Sequence, residues 1–207
     1  MLVTLSAADT RRFRRRGDIL HVARTAFMTK GYDQTSMSDI AGDLGGSKGT
    51  LWNYFDSKEA LFAEVIDNAT EEFRSRLAEL LTPKGELRSA LQGFCEGLMR
   101  VVLDPERLAL HRLVEAEASR FPQVASRFYN RGPETLHASL ADYLRLEMQA
   151  CRLRYVDPLI AAKTLTALTL GDYHRDYLLH PSKVLSTDEV AAHGAFAADG
   201  FLRIFAA

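Results

Sequence analysis

No apolar run in this 207-residue chain approaches the ~18 residues that a membrane span needs, so no membrane partner is expected. The arginines near the N-terminus are not followed by an apolar stretch of signal-peptide type, which points to a cytoplasmic protein. Cysteine is scarce. Cys95 and Cys151 lie far apart without metal-ligand spacing, which argues against a disulfide framework and a zinc site and leaves two reduced, packed thiols. Strand-like alternation is absent, and Pro and Gly are sparse, so the chain reads as helical nearly throughout. There is no fixed-period repeat and no low-complexity segment. A strong net charge is also missing, since the balance is −1. That sum conceals an asymmetry. Through Lys58 there are nine Lys/Arg against six Asp, which leaves −4 for the remainder. A small basic end on a mildly acidic body suggests that one end alone meets a polyanion. Its densest part, Arg11, Arg12, Arg14, Arg15 and Arg16, reads equally as a solvated arm or as part of that contact.

Helix signals divide the first third of the chain finely. Ile19, Val22, Ala23, Ala26 and Phe27 fall on one helical face, and Gly31 stands where a left-handed terminating residue is needed. Ser36 is an N-cap with Asp39 three residues on, a carboxylate version of the capping box. Met37, Ile40, Ala41 and Leu44 then stripe a helix of two turns, which Gly45 closes. Ser47 caps another short helix running to about Phe55. Ser57 caps a long one carrying Leu61, Phe62, Val65, Ile66, Ala69, Phe73, Leu77 and Leu80. Isolated helices below about 12 residues are marginal in water, so the two short ones must be pinned by their longer neighbours. The arrangement is a helix-turn-helix, whose second member enters the major groove of DNA.

The head of that second member has the chemistry for the task. Free N–H groups and the positive end of a helix dipole favour an anion, and Gly49 removes a side chain where backbone would approach DNA. Ser36, Ser47, Lys48, Thr50 and Lys58 can reach phosphate or base edges, and Asn53 can pair with adenine. Trp52 and Tyr54 can pack on sugar-phosphate or fill the small core; for Trp52 the sequence does not choose. Phe55 and Leu51, four apart, point inward.

The stretch TSMSDIAGDLGGSKGTLWNYFDSKEALFAEVI, with AFMTKGYDQTS before it, resembles the N-terminal domain of TetR-family transcriptional regulators over roughly residues 13 to 66. Gly46 stands where that family usually has an apolar residue, and Trp52 where it usually has Tyr. Further on, EAEASRFPQVASRFYNRGPETL resembles the ligand-domain segment of the AefR-like subgroup. The resemblance implies an all-α fold: a three-helix DNA-binding domain at 13–58 behind a flexible basic arm at 1–12, then a ligand-binding and dimerisation domain at 59–207. It also implies a homodimer, a double-stranded operator and a small-molecule effector, with no cofactor.

Beyond Pro83 the helices lengthen, with expected spans 84–103, 105–120, 122–150 (interrupted near Gly132-Pro133), 157–179 and 187–205. Pro105, Pro122 and Pro158 each mark a first turn. The last two spans are apolar or small over more than one face, as expected for helices that pack inward and also on a twin copy. Leu165, Thr169, Tyr173, Phe196 and Phe201 are the residues expected in that seam. Phe94, Leu98, Val102, His111, Val114, Glu115, Phe128 and Tyr129 mix apolar walls with polar handles, as ligand sites do and as cores also do. His111 and Glu115 supply two ligands where a metal needs four. Asp172, His174 and Asp176 in GDYHRDY are spaced by two, which scatters them around a helix and argues against an enzyme. A protein-only helical adaptor is a weaker reading, because it leaves the basic end and the capped short helices unexplained. The sequence therefore reads as a ligand-responsive, DNA-binding transcriptional repressor.

Overall fold

The computed structural model describes residues 7–45, 48–80 and 85–207, with the side chains of residues 7–13, 48 and 50 outside the description. The helices are α1 (Ala7–Gln34), α2 (Met37–Asp43), α3 (Lys48–Trp52), α4 (Lys58–Leu80), α5 (Leu87–Val102), α6 (Pro105–Glu117), α7 (Pro122–Tyr129), α8 (Thr135–Gln149), α9 (Pro158–Leu179) and α10 (Thr187–Phe205). Each proline singled out above is the first residue of its helix, where the missing N–H costs nothing. The interruption expected at Gly132-Pro133 is a π-helical turn, Asn130–Glu134. Widening the helix there lets Pro133 sit inside it despite having no N–H to donate. Among the described residues no strand forms; a lone antiparallel bridge joins Leu153 to Ala206.

Two compact units result. One comprises Met1–Ala69 with Leu113–Ala125, the other Thr70–Arg112 with Ser126–Ala207. The division therefore falls beyond Lys58, and the first unit takes in a segment from far downstream.

In the first unit α1 breaks at Gly31, whose φ of 78° and ψ of 169° suit a residue without a side chain. Ile19, Ala23, Phe27, Ile40, Leu51 and Leu61 are buried at its centre. In the second unit Phe94, Leu98, Leu140, Leu144, Leu165 and Phe201 form the middle of one continuous core. Arg88 grips Asp199 with two hydrogen bonds of 2.7 and 2.9 Å, pinning α5 to α10. Those helices approach closely at Gly194, where a Cβ would meet Glu96 Cγ at 2.6 Å and the Gln92 carbonyl oxygen at 3.5 Å. Gly194→Val is expected to overpack this contact by about 1–3 kcal/mol, lowering Tm by several degrees in a thermal melt. An unchanged Tm would mean that the two helices can separate freely at this point.

α9 contains a second glycine break, Gly171, at φ 39° and ψ −129°. His193 of α10 lies with Nε2 3.1 Å from the Leu168 carbonyl oxygen just before it. The side chain thus offers a hydrogen bond to a carbonyl next to the interrupted ladder.

Candidate nucleic-acid interface

Local capping builds the front of the first unit. Ser36 Oγ accepts from the Asp39 N–H at 3.1 Å, and Asp39 Oδ2 accepts from the Ser36 N–H at 3.0 Å and its hydroxyl at 2.7 Å. The capping box expected from sequence is complete, and it occupies the Ser36 side chain. Met37, Ile40 and Ala41 bury the stripe of α2, and Gly45 leaves it at a φ of 67°. Ser57 Oγ accepts from the Ala60 N–H at 3.0 Å and starts α4.

α3 ends at Trp52, a turn earlier than the expected Phe55. Leu51, fully buried, and Phe55, 3% exposed, anchor it from below. Their geometry fixes what faces outward. Gly49 and Asn53 are exposed, Tyr54 is half-buried, and Trp52 is 49% exposed. The ambiguity at Trp52 is thereby resolved: it is not a core residue. Ser47 lies outside the described residues, as do the side chains of Lys48 and Thr50.

Lys58 departs from expectation. Its ammonium donates to the carbonyl oxygens of Tyr32 at 2.9 Å and Thr35 at 3.0 Å, and sits 4.1 Å from the centroid of the Tyr32 ring. The charge meets the carbonyl-rich end of α1, where cations are favoured. Two of its three donors are therefore engaged within the fold. Arg16 has a similar internal part. It donates to both carboxylate oxygens of Glu64 and to the Tyr54 carbonyl oxygen, with its guanidinium over Phe55 at 4.7 Å. This arginine of the basic run ties α1 to α4. Burial, then the carboxylate of Glu59, raises the Tyr32 hydroxyl well above its ordinary pKa. Glu59 is held below its own ordinary value by its backbone N–H at the start of α4, then by Ser57 and Tyr32.

The residues expected to line a ligand chamber do not come together as a set. Phe94 and Leu98 are core residues of the second unit, with Val102 packed against that core. Val114 and Glu115 belong to the first unit, and Glu115 is exposed. Tyr129 is 55% exposed. His111 and Phe128 do meet, with ring centroids 5.4 Å apart. His111 Nδ1 also lies 3.1 Å from Nε2 of His174, a residue that sequence reasoning set aside. A separation of 63 positions along the chain leaves no local signal of the pairing. A separate groove of about 590 Å³ runs between α4 and α8, lined by Leu77, Ala78, Ser139, Tyr143 and Leu146 among others. None of the expected chamber residues lines it. Among the described residues no His/Cys/Asp/Glu cluster of three is placed to hold a metal ion, and no helix is long and apolar enough to cross a membrane.

The residues expected in the seam divide between the inside and the outside of the single chain. Leu165, Thr169 and Phe201 have no exposed surface within a single chain. They face inward, with the Thr169 hydroxyl donating to the Leu165 carbonyl oxygen and lying 3.1 Å from Cys95 Sγ. No second copy can touch them while this fold holds. Tyr173 is half-buried against the His193 ring at 4.5 Å, and Phe196 is 63% exposed. The same helices leave Leu159, Ile160 and Ile204 exposed. A shallow depression of about 450 Å³ on α9 is lined by Ile160, Lys163, Thr164, Ala167 and Leu168.

Comparison with known proteins agrees with this architecture. Residues 19–65 match the family model described as bacterial regulatory proteins, tetR family. Residues 89–207 match that of the AefR-like transcriptional repressor, C-terminal domain. A solved structure from Mesorhizobium loti MAFF303099, described as a TetR-family transcriptional regulator, superposes with a TM-score of 0.86 at 30% identity. The match covers 95% of this chain and 99% of that one. The flavonoid-responsive regulator FrrA superposes at 0.75 with 29% identity, covering 94% and 98% of the two chains. The HTH-type transcriptional regulator YfiR of Bacillus subtilis is 33% identical over 91 residues, 42% of this chain and 44% of that protein. The alignment with this curated relative thus spans less than half of its length.

Proposed function

This chain belongs to the TetR family of bacterial regulatory proteins, and from that premise we propose that it is a ligand-responsive repressor acting on a palindromic operator. The observation that carries the reading is the outward face of α3. An indole at the end of a five-residue helix, Trp52, and a carboxamide in the turn just after it, Asn53, stand in solvent, held from below by Leu51 and Phe55. A homodimer would present two such helices to successive major grooves about 34–36 Å apart. Asn53 suits adenine, and the indole of Trp52 suits sugar-phosphate or a thymine methyl. Among the described residues, Gly49 and Tyr54 complete the contact. Exposed Phe196, Ile160 and Ile204, with half-buried Tyr173, supply the apolar seam for the second copy.

A small apolar or amphipathic effector in the C-terminal unit releases the operator. His111, His174 and Phe128 support an aromatic ligand with polar groups, and the responsiveness named in FrrA makes flavonoids the first class to test. An effector shifts the equilibrium only by its affinity difference between the two states, typically ~1–3 kcal/mol of coupling. The AefR-like repressor match supports repression as the sign of control.

The test is selection of a duplex from random-sequence DNA by the full-length protein, followed by titration of the enriched duplex at several salt concentrations. A log–log slope of about −0.9 per phosphate neutralised is expected; a flat response, or no enriched sequence, would sink the reading. Lys58→Met separates support of the fold from phosphate contact. Losing a charged hydrogen-bonding group should lower stability by about 1–3 kcal/mol while leaving the salt slope unchanged. A slope reduced by about one would return Lys58 to the DNA contact.

A further inference from the structure

The DNA-reading unit is not contiguous in sequence, because Leu113–Ala125 belongs to it. The point of attachment is an aromatic cluster. The Phe121 ring meets Tyr32 edge-on at 4.7 Å and lies 5.9 Å from Phe62. Tyr32 in turn stacks on Phe27 at 5.7 Å and meets Phe62 at 5.0 Å. Two cations also address the Tyr32 ring, Lys58 at 4.1 Å and Arg120 at 5.2 Å. Arg120 lies equally close to the Phe121 ring and is ion-paired with Asp33.

This cluster holds a corner. Gly31 breaks α1, and the carbonyl oxygens of Tyr32 and Thr35 accept from Lys58. The Thr35 hydroxyl lies within hydrogen-bond distance of the Gly31 and Ala26 carbonyl oxygens. The next residue is Ser36, the cap of α2. Tyr32, 1% exposed, therefore sets the direction in which α2 leaves α1, and Phe121 packs against Tyr32 from 89 positions downstream. Edge-to-face ring packing is directional, so this contact constrains angle as well as distance.

We propose that Phe121 is a positioning residue for DNA reading, with Arg120 as its electrostatic support: together they fix the α1–α2 corner and so the aim of the α2–α3 pair. The proposal rests on the DNA-binding reading above. It makes base readout, which needs accurate placement, more sensitive to Phe121 than phosphate contact, which tolerates displacement.

The experiment uses the full-length protein, the enriched duplex and a random duplex, well below the melting temperature. Phe121→Ala should weaken binding to the enriched duplex about tenfold while random-duplex affinity stays within about twofold, so that the specificity ratio falls. Phe121→Tyr should restore the ratio. Leu140→Ala, a truncation at a fully buried site in the other unit, is the control for destabilisation alone and should keep the wild-type ratio. Where Phe121→Ala does not fold, Phe121→Leu is used with a charge exchange: Arg120→Asp and Asp33→Arg each lower the ratio, and the double variant restores it. A wild-type ratio in folded Phe121→Ala or Phe121→Leu, or a fall matched by Leu140→Ala, overturns this inference alone. A wild-type protein that enriches no sequence overturns the DNA-binding reading and the inference with it.

Discussion

Replacing both Phe196 and Ile160 by Glu should yield a folded monomer that has lost at least about a hundredfold in affinity for the enriched duplex. The side chains at these two positions are 63% and 59% exposed on α10 and α9, so the substitutions leave the core of the chain intact. In a dimer seam the same carboxylates are driven into apolar surface without partners, which costs several kcal/mol per buried charge. Loss of the seam also separates two half-site contacts that had acted as one. The second contact then no longer benefits from a high effective concentration, so DNA affinity falls by far more than either side chain contributes directly. Sedimentation velocity reads the assembly and duplex titration reads the affinity. A double variant that remains dimeric with wild-type affinity places the seam elsewhere. Leu165→Ala is the complementary control. Leu165 has no exposed surface, so this truncation should lower stability by about 2–5 kcal/mol without altering the assembly of the protein that remains folded.

Leu51→Ala should abolish recognition of the enriched duplex while leaving most helical content in place. Leu51 is fully buried beneath α3, and Leu→Ala truncation in a core costs about 2–5 kcal/mol. A helix of five residues has no stability of its own to set against that loss. Trp52, the single Trp of the chain, is the next residue, so its emission reports the helix directly. The expected result is a shifted Trp52 emission in free protein and no difference between enriched and random DNA, with far-UV circular dichroism little changed. Leu51→Met, close in volume, should cost less than about 1.5 kcal/mol and retain recognition. Wild-type discrimination by Leu51→Ala would mean that α3 does not depend on its anchor.

Features governed by a few neighbouring residues are legible in the sequence. The Ser36/Asp39 capping box, the Ser57 cap, the break at Gly31 and the first-turn prolines all arise from interactions within about four residues. Each therefore leaves its full signature in the local stretch of chain. The inward pair Leu51 and Phe55 is legible as well, because a spacing of four fixes a shared helix face.

The departures from expectation share one physical origin. α9 and α10 are apolar on more than one side, and periodicity cannot say which apolar face meets the chain's own core. Leu165, Thr169 and Phe201 turn inward, and Phe196 is left outside. Lys58 stands at the start of a helix, a place that suggests phosphate, but the carbonyl oxygens that engage it come from Tyr32 and Thr35. The meeting of His111 with His174, and of Phe121 with Tyr32, depends on segments brought together only when the helices pack. Sequence by itself determined the all-α class, most helix boundaries and the two short helices α2 and α3, because caps, glycine breaks and helical periodicity are local. Tertiary structure alone decided which faces are buried, which cation supports the fold and which distant segment joins the first unit. Those outcomes depend on the geometry of packing between elements, which no single stretch of chain encodes.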